Sequence, residues 1–460
     1  MSRKKATEKG TKFQVKRMKN VAFHNLGCKV NSYEMEVMQQ IVQKAGYIIV
    51  QFTQKADVYI VNTCTVTNIA DRKSRQMLHR AKQLNPDSVV VAVGCYAQTG
   101  EEKLKEDECV DIIIGNNHKT EIAEILDKYF EEHPQKTSII SDLTGPSEYE
   151  NSLLFESENR TRVDVKVQDG CNQFCSYCAI PLARGRARSR KPEDVLEEIR
   201  ELSQNGHREI VLTGIHVCSY GIDFEDKFGL IDLIELIDRE IPESMLSRIR
   251  LGSLEPRVIT EENVNRLVKI KRVCPHFHLS LQSGCDETLK RMNRHYTTAE
   301  YKKGVEMLRN AYAKEGISAA ITTDVIVGFP GETEEEFEIT RKYLEDLKLY
   351  EMHIFKYSRR KGTVADRLPG QIPEEIKSLR SDVLLEMTEK HSRDYRKSRL
   401  GQTAEVLIEE KKDGFYIGHT GDYIKVMIPE ESCLEGNLKN VILQELTESD
   451  SVIGKPADNA

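Results

Sequence analysis

Short apolar strands alternate with helical segments along much of this chain, and that alternation is the feature that most constrains its fold. In residues 21–130, the predicted strands cover residues 21–26, 58–61 and 89–93, and the predicted helices cover residues 33–45, 70–84 and 121–130. Strands that alternate with helices indicate a parallel sheet with helices on its faces. We therefore predict an N-terminal parallel α/β domain over residues 21–135.

The same alternation resumes after residue 160 and gives six further strands. They are predicted at residues 163–167, 209–213, 248–252, 277–281, 320–327 and 351–355. Six βα units predict a partial (βα)6 barrel over residues 161–370, and such barrels form their active sites at the carboxyl ends of the strands. The polar residues 136–160 between the two alternating regions are predicted to be a linker.

The C-terminal part of the chain follows a different pattern. A helical stretch at residues 371–400 leads into residues 401–446, which contain four predicted strands at residues 403–408, 415–420, 423–428 and 440–446. Short strands separated by turns predict a small antiparallel β-barrel. Residues 1–20 are predicted to form a disordered basic arm, and residues 447–460 a tail. The predicted fold class is α/β, ending in this small β-barrel.

Three cysteines follow the first strand of the predicted barrel, in the run DGCNQFCSYCAIP. Cys171, Cys175 and Cys178 have a spacing that suits three corners of a cubane iron–sulfur cluster. The fourth iron then lacks a protein ligand, and an open iron favours binding of a substrate or cofactor over simple electron transfer. A structural zinc site is the alternative, although zinc usually takes paired C-x-x-C units and the chain has no second pair.

A second set of cysteines lies in the N-terminal domain, each just after a predicted strand. These are Cys28 in NLGCKVNSYE, Cys64 in VNTCTVT and Cys95 in VGCYAQ. Because the carboxyl ends of parallel strands converge on one edge of a sheet, three such cysteines can meet at one point. The alternative is three separate buried thiols at βα turns, since free cysteine is among the most buried residue types.

The cysteine count and the absence of a long apolar run bear on the cellular compartment. No stretch approaches the roughly twenty apolar residues of a membrane helix, and the first twenty residues are basic and polar, unlike a signal peptide. We expect a cytoplasmic protein without a membrane partner, whose 11 cysteines stay reduced. The cysteines without ligand spacing receive no role: Cys109, Cys218, Cys274, Cys285 and Cys433.

The C-x3-C-x2-C loop, with Tyr177 before its last cysteine, resembles the radical S-adenosylmethionine enzymes, and residues 164–190 resemble the methylthiotransferase branch of that superfamily. Within this branch, the stretches NLGCKVNSYE, NTCTVTNIADRKSRQMLHRAK and VAVGCYAQT are most similar to the enzymes that act on N6-threonylcarbamoyladenosine beside the anticodon. The similarity covers residues 21 to about 446. It implies that carbon 2 of this nucleoside, at position 37 of tRNA, receives a methylthio group.

The resemblance also implies cofactors, partners and ligands. It implies two [4Fe–4S] clusters, of which one binds S-adenosylmethionine through its open iron and the other carries the sulfur. It implies a tRNA substrate, a flavodoxin-like or ferredoxin-like electron donor and a sulfur donor. The implied ligands are Cys171, Cys175 and Cys178 for the first cluster and Cys28, Cys64 and Cys95 for the second. The expected contacts to S-adenosylmethionine are Thr213, Glu255 and Gln282 at strand ends, and no catalytic residue is assigned beyond the cluster ligands.

Basic and aromatic residues are the expected contacts to RNA, although the net charge of −7 carries no nucleic-acid signature. Cations that neutralise phosphates release counterions and favour binding. The candidates are Arg184, Arg186, Arg188 and Arg190, and a second group at Lys356, Arg359, Arg360 and Lys361. The terminal barrel resembles the TRAM module that binds tRNA in this family, but its own charge is acidic. Its expected contacts are therefore Phe415, Tyr416 and Tyr423.

Four alternatives remain open at this point. Enzymes that modify isopentenyladenosine in tRNA, or an aspartate of a ribosomal protein, share both cysteine triplets with this family. A non-catalytic iron–sulfur protein that binds RNA or transfers electrons would never cleave S-adenosylmethionine. A zinc-dependent RNA-binding module would contain metal without acid-labile sulfide.

Overall fold

The N-terminal domain is a six-stranded parallel sheet covered by helices. A computed structural model describes residues 18–145, 147–154, 157, 161–430, 437–448 and 450–457. The strands are β1 (Asn20–Asn25), β2 (Ile48–Val50), β3 (Val58–Thr63), β4 (Val89–Gly94), β5 (Ile112–Ile114) and β6 (Thr137–Ile139). The helices are α1 (Lys29–Lys44), α2 (Asn68–Leu84), α3 (Cys95–Thr99), α4 (Glu101–Glu106) and α5 (Ile122–Glu132). The strand order is β2-β1-β3-β4-β5-β6, and all neighbours are parallel.

The central strands of this sheet explain why its cysteines converge. Every residue of β3 and β4 is buried, so each strand has a continuous apolar run typical of parallel strands that helices cover on both faces. The strands β1, β3 and β4 are neighbours, and each ends shortly before Cys28, Cys64 or Cys95. The prediction that these three strand ends lie on one edge of the sheet is confirmed.

The central domain is a partial barrel. Its strands are β7 (Arg162–Asp169), β8 (Arg188–Ser189), β9 (Glu209–Gly214), β10 (Arg248–Leu251), β11 (His276–His278), β12 (Ala320–Val327) and β13 (Glu351–Lys356). Its helices are α6 (Ile180–Arg184), α7 (Pro192–Gln204), α8 (Leu230–Glu240), α9 (Glu261–Leu267), α10 (Asp286–Arg291), α11 (Thr298–Lys314) and α12 (Glu334–Leu347). The strand orders are β10-β9-β7-β8 and β11-β12-β13, and parallel bridges such as Leu254–Leu279 join the two sheets. The six predicted parallel strands are confirmed, and β8 is a short additional strand antiparallel to β7.

A long helix, α13 (Glu374–Arg399), leads to the C-terminal barrel. The barrel strands are β14 (Thr403–Lys412), β15 (Phe415–Thr420), β16 (Lys425–Pro429), β17 (Leu438–Leu446) and β18 (Val452–Pro456), closed in the order β14-β15-β16-β18-β17. This barrel lies at the amino ends of the central strands. Arg248, at the start of β10, donates a hydrogen bond to the Glu405 carbonyl oxygen (2.6 Å), and Ala320, at the start of β12, belongs to the core of the small barrel.

Two predicted segments contain more structure than expected. The predicted linker contains β6, the sixth strand of the N-terminal sheet, and the predicted tail contains β18, which closes the C-terminal barrel. The small barrel is also not purely antiparallel, because β16 and β18 pair in parallel. Residues 1–17 of the predicted arm, and Cys433, lie outside the described residues. Among the described helices, none combines the length and the apolar character that crossing a membrane requires.

Candidate active site

Cys171, Cys175 and Cys178 lie together at the mouth of the central barrel. β7 ends at Asp169, whose carboxylate accepts a hydrogen bond from the Gly170 backbone N–H (2.8 Å), so the chain turns directly into the cysteine loop. All three cysteines line one cavity of about 130 Å³. The predicted triplet therefore converges at the carboxyl end of the first barrel strand, where βα barrels form active sites.

Each sulfur of this triplet accepts a hydrogen bond from the surrounding chain. The backbone N–H of Gln173 donates to Cys171 Sγ (3.4 Å), and that of Ile180 donates to Cys178 Sγ (3.4 Å). Arg294 Nη1 donates to Cys175 Sγ (3.2 Å). Burial raises the pKa of the Cys171 thiol to about 11 and that of Cys178 to about 12. A bound cation would stabilise the thiolate forms in this buried setting, and iron supplies such a charge.

The spacing of the sulfurs bears on the zinc alternative. Among the described residues, the groups whose ligand atoms all lie within 4.8 Å of one another are His79–Asp107–Cys109 and His278–Asp324–His353. Neither cysteine triplet is clustered so tightly. Thiolates that bind one zinc ion at about 2.3 Å lie only about 4 Å apart, so the wider spacing favours a multinuclear cluster over a single ion.

Two glycines allow the N-terminal cysteine loops to approach one another. Gly27 has a φ of +117°, and a Cβ built on it would lie 3.2 Å from Cys64 Sγ. Gly94, directly before Cys95, has a φ of +97°, and a Cβ there would lie 2.9 Å from the Thr63 carbonyl oxygen. Side chains at either position would be strained and would push the loops apart. The donor set and this close approach suit a cluster bound by all three loops.

Polar side chains hold the same loops in place. Asn31 donates to the carbonyl oxygens of Leu26 (2.7 Å) and Thr63 (3.1 Å), and thereby links the loops that contain Cys28 and Cys64. The Thr63 hydroxyl donates to the Val93 carbonyl oxygen (2.7 Å) and so ties β3 to β4. Cys28 directly precedes α1, and desolvation raises the pKa of its thiol, so a bound cation would stabilise the thiolate here as well.

The cysteine cavity of the barrel adjoins two other cavities. A cavity of about 620 Å³ shares Gln173, His216 and Glu255 with it, and a cavity of about 270 Å³ shares Tyr177 and Gln282 with it. The larger cavity has the volume of a typical cofactor site. The three thiols therefore lie between a space that suits a cofactor and a smaller space that is open to a second molecule.

The smaller cavity is formed by both domains. Val66 and Thr67, which follow Cys64 closely, line one side, and Tyr177, between Cys175 and Cys178, lines another. Phe355 and Tyr357, at the end of β13, add aromatic surface. The chain segments next to both cysteine triplets thus share one cavity.

The structure brings two of the three predicted cofactor-binding residues to the cysteine cavity. Glu255 and Gln282 both line it. Thr213 is buried at the end of β9 and lines neither this cavity nor the larger one, so its contact with S-adenosylmethionine stays a prediction.

Sequence reasoning missed two residues that position Glu255. Arg294 forms an ion pair with it (2.9 Å), and His216 Nε2 lies 3.5 Å from its other oxygen. Burial alone would raise the pKa of Glu255, but the nearby His216 ring and the Arg294 charge outweigh it, so the pKa is lowered and the carboxylate stays ionised. No local motif marks Arg294 or His216, since barrel closure brings them there from distant loops.

A further polar group lies on neighbouring barrel strands. His278, Asp324 and His353 bring their ligand atoms within 4.8 Å of one another, and His278 Nε2 lies 3.2 Å from Asp324 Oδ2. Thr322 and His278 Nδ1 are hydrogen-bonded (3.0 Å). Asp324 also lines the 270 Å³ cavity, so this group belongs to the same site.

Three of the four arginines predicted to contact RNA are buried in ion pairs, which corrects that prediction. Arg184 pairs with Glu34 (2.8 Å), Arg188 with Asp169 (3.2 Å) and Arg190 with Glu198 (2.8 Å). Arg186 is exposed and lies over the Phe174 ring at 4.5 Å. Phosphates at the surface are therefore accessible to Arg186 but not to the other three.

The second basic group divides in the same way. Arg360 is buried against the N-terminal domain, where it pairs with Asp71 (2.8 Å), so its predicted RNA contact is wrong. Lys356, Arg359 and Lys361 are exposed. The sequence could not show this difference, because a run of basic residues looks the same whether its members are exposed or contact another domain. Only the tertiary structure shows which of them are buried.

The aromatic residues of the small barrel also differ in their surroundings. Tyr423 stacks on His276 (ring centroids 5.0 Å apart) and lies beneath Arg250 (4.6 Å), so it packs against the central barrel, and its RNA contact stays a prediction. Phe415 and Tyr416 are half-buried on β15 and remain predicted contacts.

Comparison with known proteins gives matches in both α/β domains. The Radical SAM superfamily model matches residues 165–344, and the model described as Uncharacterized protein family UPF0004 matches residues 20–115. Among solved structures, the radical S-adenosylmethionine methyltransferase TsrM from Kitasatospora setae has a TM-score of 0.52 and 16% identity, with 73% of this chain and 72% of that chain covered. At that identity the likeness concerns the fold alone.

Curated relatives cover almost the whole chain. It is 38% identical to threonylcarbamoyladenosine tRNA methylthiotransferase MtaB of Bacillus subtilis, over 92% of this chain and 93% of the relative. It is 36% identical to the protein of the same name from Thermotoga maritima, over 89% and 91%. It is 33% identical to tRNA-2-methylthio-N(6)-dimethylallyladenosine synthase of Desulfitobacterium hafniense, over 91% and 93%.

Proposed function

We propose that this chain, which belongs to the radical S-adenosylmethionine methylthiotransferases, adds a methylthio group to carbon 2 of N6-threonylcarbamoyladenosine at position 37 of tRNA, next to the anticodon. The relatives from Bacillus subtilis and Thermotoga maritima, at 38% and 36% identity, carry this nucleoside in their names. Enzymes of the family use S-adenosylmethionine and iron–sulfur clusters, which when bound supply hydrogen abstraction at an unactivated carbon and delivery of sulfur.

Cys171, Cys175 and Cys178 would hold the cluster that binds S-adenosylmethionine. The donor set fits, because three thiols in one cavity leave one corner of a four-iron cluster open. The adjoining 620 Å³ cavity is the proposed site of the cofactor's adenosyl part. Glu255 and Gln282 would orient its amino and hydroxyl groups, with Arg294 and His216 keeping the Glu255 carboxylate ionised.

Cys28, Cys64 and Cys95 would hold the cluster that carries sulfur. The observation that carries the whole proposal is the shared 270 Å³ cavity, whose walls come from Val66 and Thr67 on one side and Tyr177 on the other. One bound substrate would thus face both cysteine loops. Holding the reacting groups together in this way lowers the entropic part of the barrier.

The target adenine would enter this cavity after leaving the anticodon-loop stack. Enzymes that modify a base expose it from its stack and hold it between aromatic and apolar side chains. Phe355, Tyr357 and Tyr177 offer such surfaces, and Asp324 offers an acceptor for an exocyclic N–H group. The walls would also exclude water from the reacting carbon.

Contacts outside the cavity complete the proposal. Arg186, Lys356 and Lys361 are exposed cations that would meet tRNA phosphates, and the TRAM-like barrel would add contacts through Phe415 and Tyr416. A flavodoxin-like or ferredoxin-like protein would supply electrons, and a separate donor would restore the sulfur. A cytoplasmic location follows from the tRNA substrate and the reduced thiols.

Mass spectrometry of tRNA nucleosides from a deletion strain tests the proposal. We expect selective loss of 2-methylthio-N6-threonylcarbamoyladenosine, restored by the wild-type chain and by Cys285→Ala, a buried cysteine outside both triplets, but not by Cys171→Ala. Loss of the methylthiolated isopentenyladenosine instead would identify the dimethylallyl activity of the relative from Desulfitobacterium hafniense. An unchanged nucleoside profile would refute a tRNA substrate.

A further inference from the structure

We propose that Arg184 is a positioning residue that sets the reduction potential of the cluster held by Cys28, Cys64 and Cys95, and that it links this cluster to the loop of residues 171–178, called here the radical loop. This inference rests on the proposed cluster at Cys28, Cys64 and Cys95. The sequence suggested that Arg184 contacts RNA, but its side chain is fully buried between the two α/β domains.

The Arg184 side chain contacts one ligand sulfur directly. Its Nε donates to Cys95 Sγ at 3.3 Å. The α6 helix that ends at Arg184 is fixed close to Cys95, because Asn116 Nδ2 donates to the Ala183 carbonyl oxygen (2.7 Å) and also lies 3.7 Å from Cys95 Sγ. A cationic N–H donor at a ligand sulfur is one of the levers by which a protein tunes an iron–sulfur cluster.

The remaining nitrogens of Arg184 reach both cysteine loops. Nη1 and Nη2 donate to the two carboxylate oxygens of Glu34 at 2.8 and 2.9 Å, and Nη2 also donates to Asn31 Oδ1 at 2.7 Å. Both residues lie on α1, which begins directly after Cys28. Nη1 also lies 3.2 Å from the carboxylate of Asp169, two residues before Cys171. One planar guanidinium therefore connects Cys95, the Cys28 helix and the start of the radical loop.

The surrounding charges favour an anionic group at Cys95. Within the described residues, the buried ion-pair group around Arg184 contains the carboxylates of Glu34 and Asp169. The cations of this group are Lys119, Lys166, Arg184 and Arg188. Four cations face two carboxylates, and a buried excess of positive charge is costly unless an anion compensates it. Thiolates bound to iron supply that negative charge, and the excess stabilises the reduced cluster over the oxidised one.

The substitution Arg184→Lys separates the sulfur contact from the ion pair. A lysine places a methylene where the arginine Nε lies and an ammonium where Cζ lies, so the charge beside Glu34 is kept while the donor to Cys95 is lost. Arg188→Lys is the matched control, because Arg188 is buried, pairs with Asp169 in the same group and contacts no cysteine sulfur among its hydrogen bonds.

Potentiometric titration followed by electron paramagnetic resonance tests the proposal. The full chain is used with Cys171, Cys175 and Cys178 changed to Ala, so that only the N-terminal cluster gives a signal. We expect Arg184→Lys to lower the reduced-to-oxidised ratio at a fixed potential about tenfold, a shift of about 59 mV for a one-electron couple. Arg188→Lys should leave the ratio within twofold. Equal potentials in the two variants would overturn the proposal for Arg184.

A second measurement needs no substitution at Arg184. In the same triple-alanine chain grown with ¹⁵N-labelled arginine, pulsed electron paramagnetic resonance of the reduced cluster should detect a ¹⁵N coupling from the hydrogen-bonded guanidinium. Absence of that coupling overturns the Arg184 contact even where Arg184→Lys fails to fold. A triple-alanine chain without any four-iron cluster would instead refute the proposed function, so the two failures are distinguishable.

Discussion

Removal of the Phe355 ring tests whether the 270 Å³ cavity holds the target base. Phe355 lines this cavity, and 46% of its side chain is exposed, so about half of its surface packs against the fold. The substitution Phe355→Ala should therefore cost only about 1 kcal/mol of folding stability. A base stacked on an aromatic side chain gains about 1–3 kcal/mol, so kcat/KM for tRNA should fall roughly 5- to 150-fold, since about 1.4 kcal/mol is a factor of ten.

The assay measures nucleoside formation by reconstituted enzyme at limiting tRNA. Ile339→Ala is the matched control, because Ile339 is also about half exposed (52%) but lies on α12, outside the described cavities. Its kcat/KM should change less than twofold. A loss below twofold for Phe355→Ala, or an equal loss for the control, would refute the assignment of this cavity to the base.

Three further predictions concern the cluster and two buried ion pairs. Cys95→Ala should reduce the iron content of reconstituted enzyme from about eight to about four atoms per chain, whereas Cys109→Ala, outside both triplets, should keep all eight, as measured by iron and acid-labile sulfide analysis. Arg360→Met should lower the free energy of unfolding by about 3 kcal/mol in urea titrations, because it leaves Asp71 without its buried cation; an unchanged midpoint contradicts this. The charges of neighbouring arginines outweigh burial and hold the pKa of Glu209 below its usual range. The ionised Glu209 side chain therefore contributes its full share of folding stability above about pH 4.3, and this contribution is lost at lower pH. The stability difference between wild-type apoprotein and Glu209→Gln should accordingly be larger at pH 7 than at pH 4, and a difference independent of pH would refute this.

Much of the fold was accessible from the sequence because its strands are apolar and regularly spaced. β3 and β4 are buried throughout, so their valine-rich runs stand out from the helices around them. β6 and β18 were missed because they are only three and five residues long and lie in segments that contain polar and turn residues. Only tertiary pairing distinguishes such segments from a linker or a tail.

Part of the candidate site was also predictable from the sequence. The spacing of Cys171, Cys175 and Cys178 is a local property and needs no tertiary information. The roles of Arg184 and Arg294 are not local, since each arginine reaches a sulfur 89 or 119 residues away in sequence. Arg184 and Arg186 lie in the same basic run, so the local sequence does not show which of them can contact a phosphate. Only their different burial in the folded chain distinguishes the two.

Incubation of the reconstituted enzyme with two tRNA substrates tests the central claim most directly. One tRNA contains N6-threonylcarbamoyladenosine and the other isopentenyladenosine at position 37, and the nucleosides are analysed by mass spectrometry after addition of S-adenosylmethionine and reductant. We predict that the methylthio group appears on the threonylcarbamoyl nucleoside only. Methylthiolation of the isopentenyl nucleoside alone, or release of 5′-deoxyadenosine with neither tRNA modified, would contradict the account.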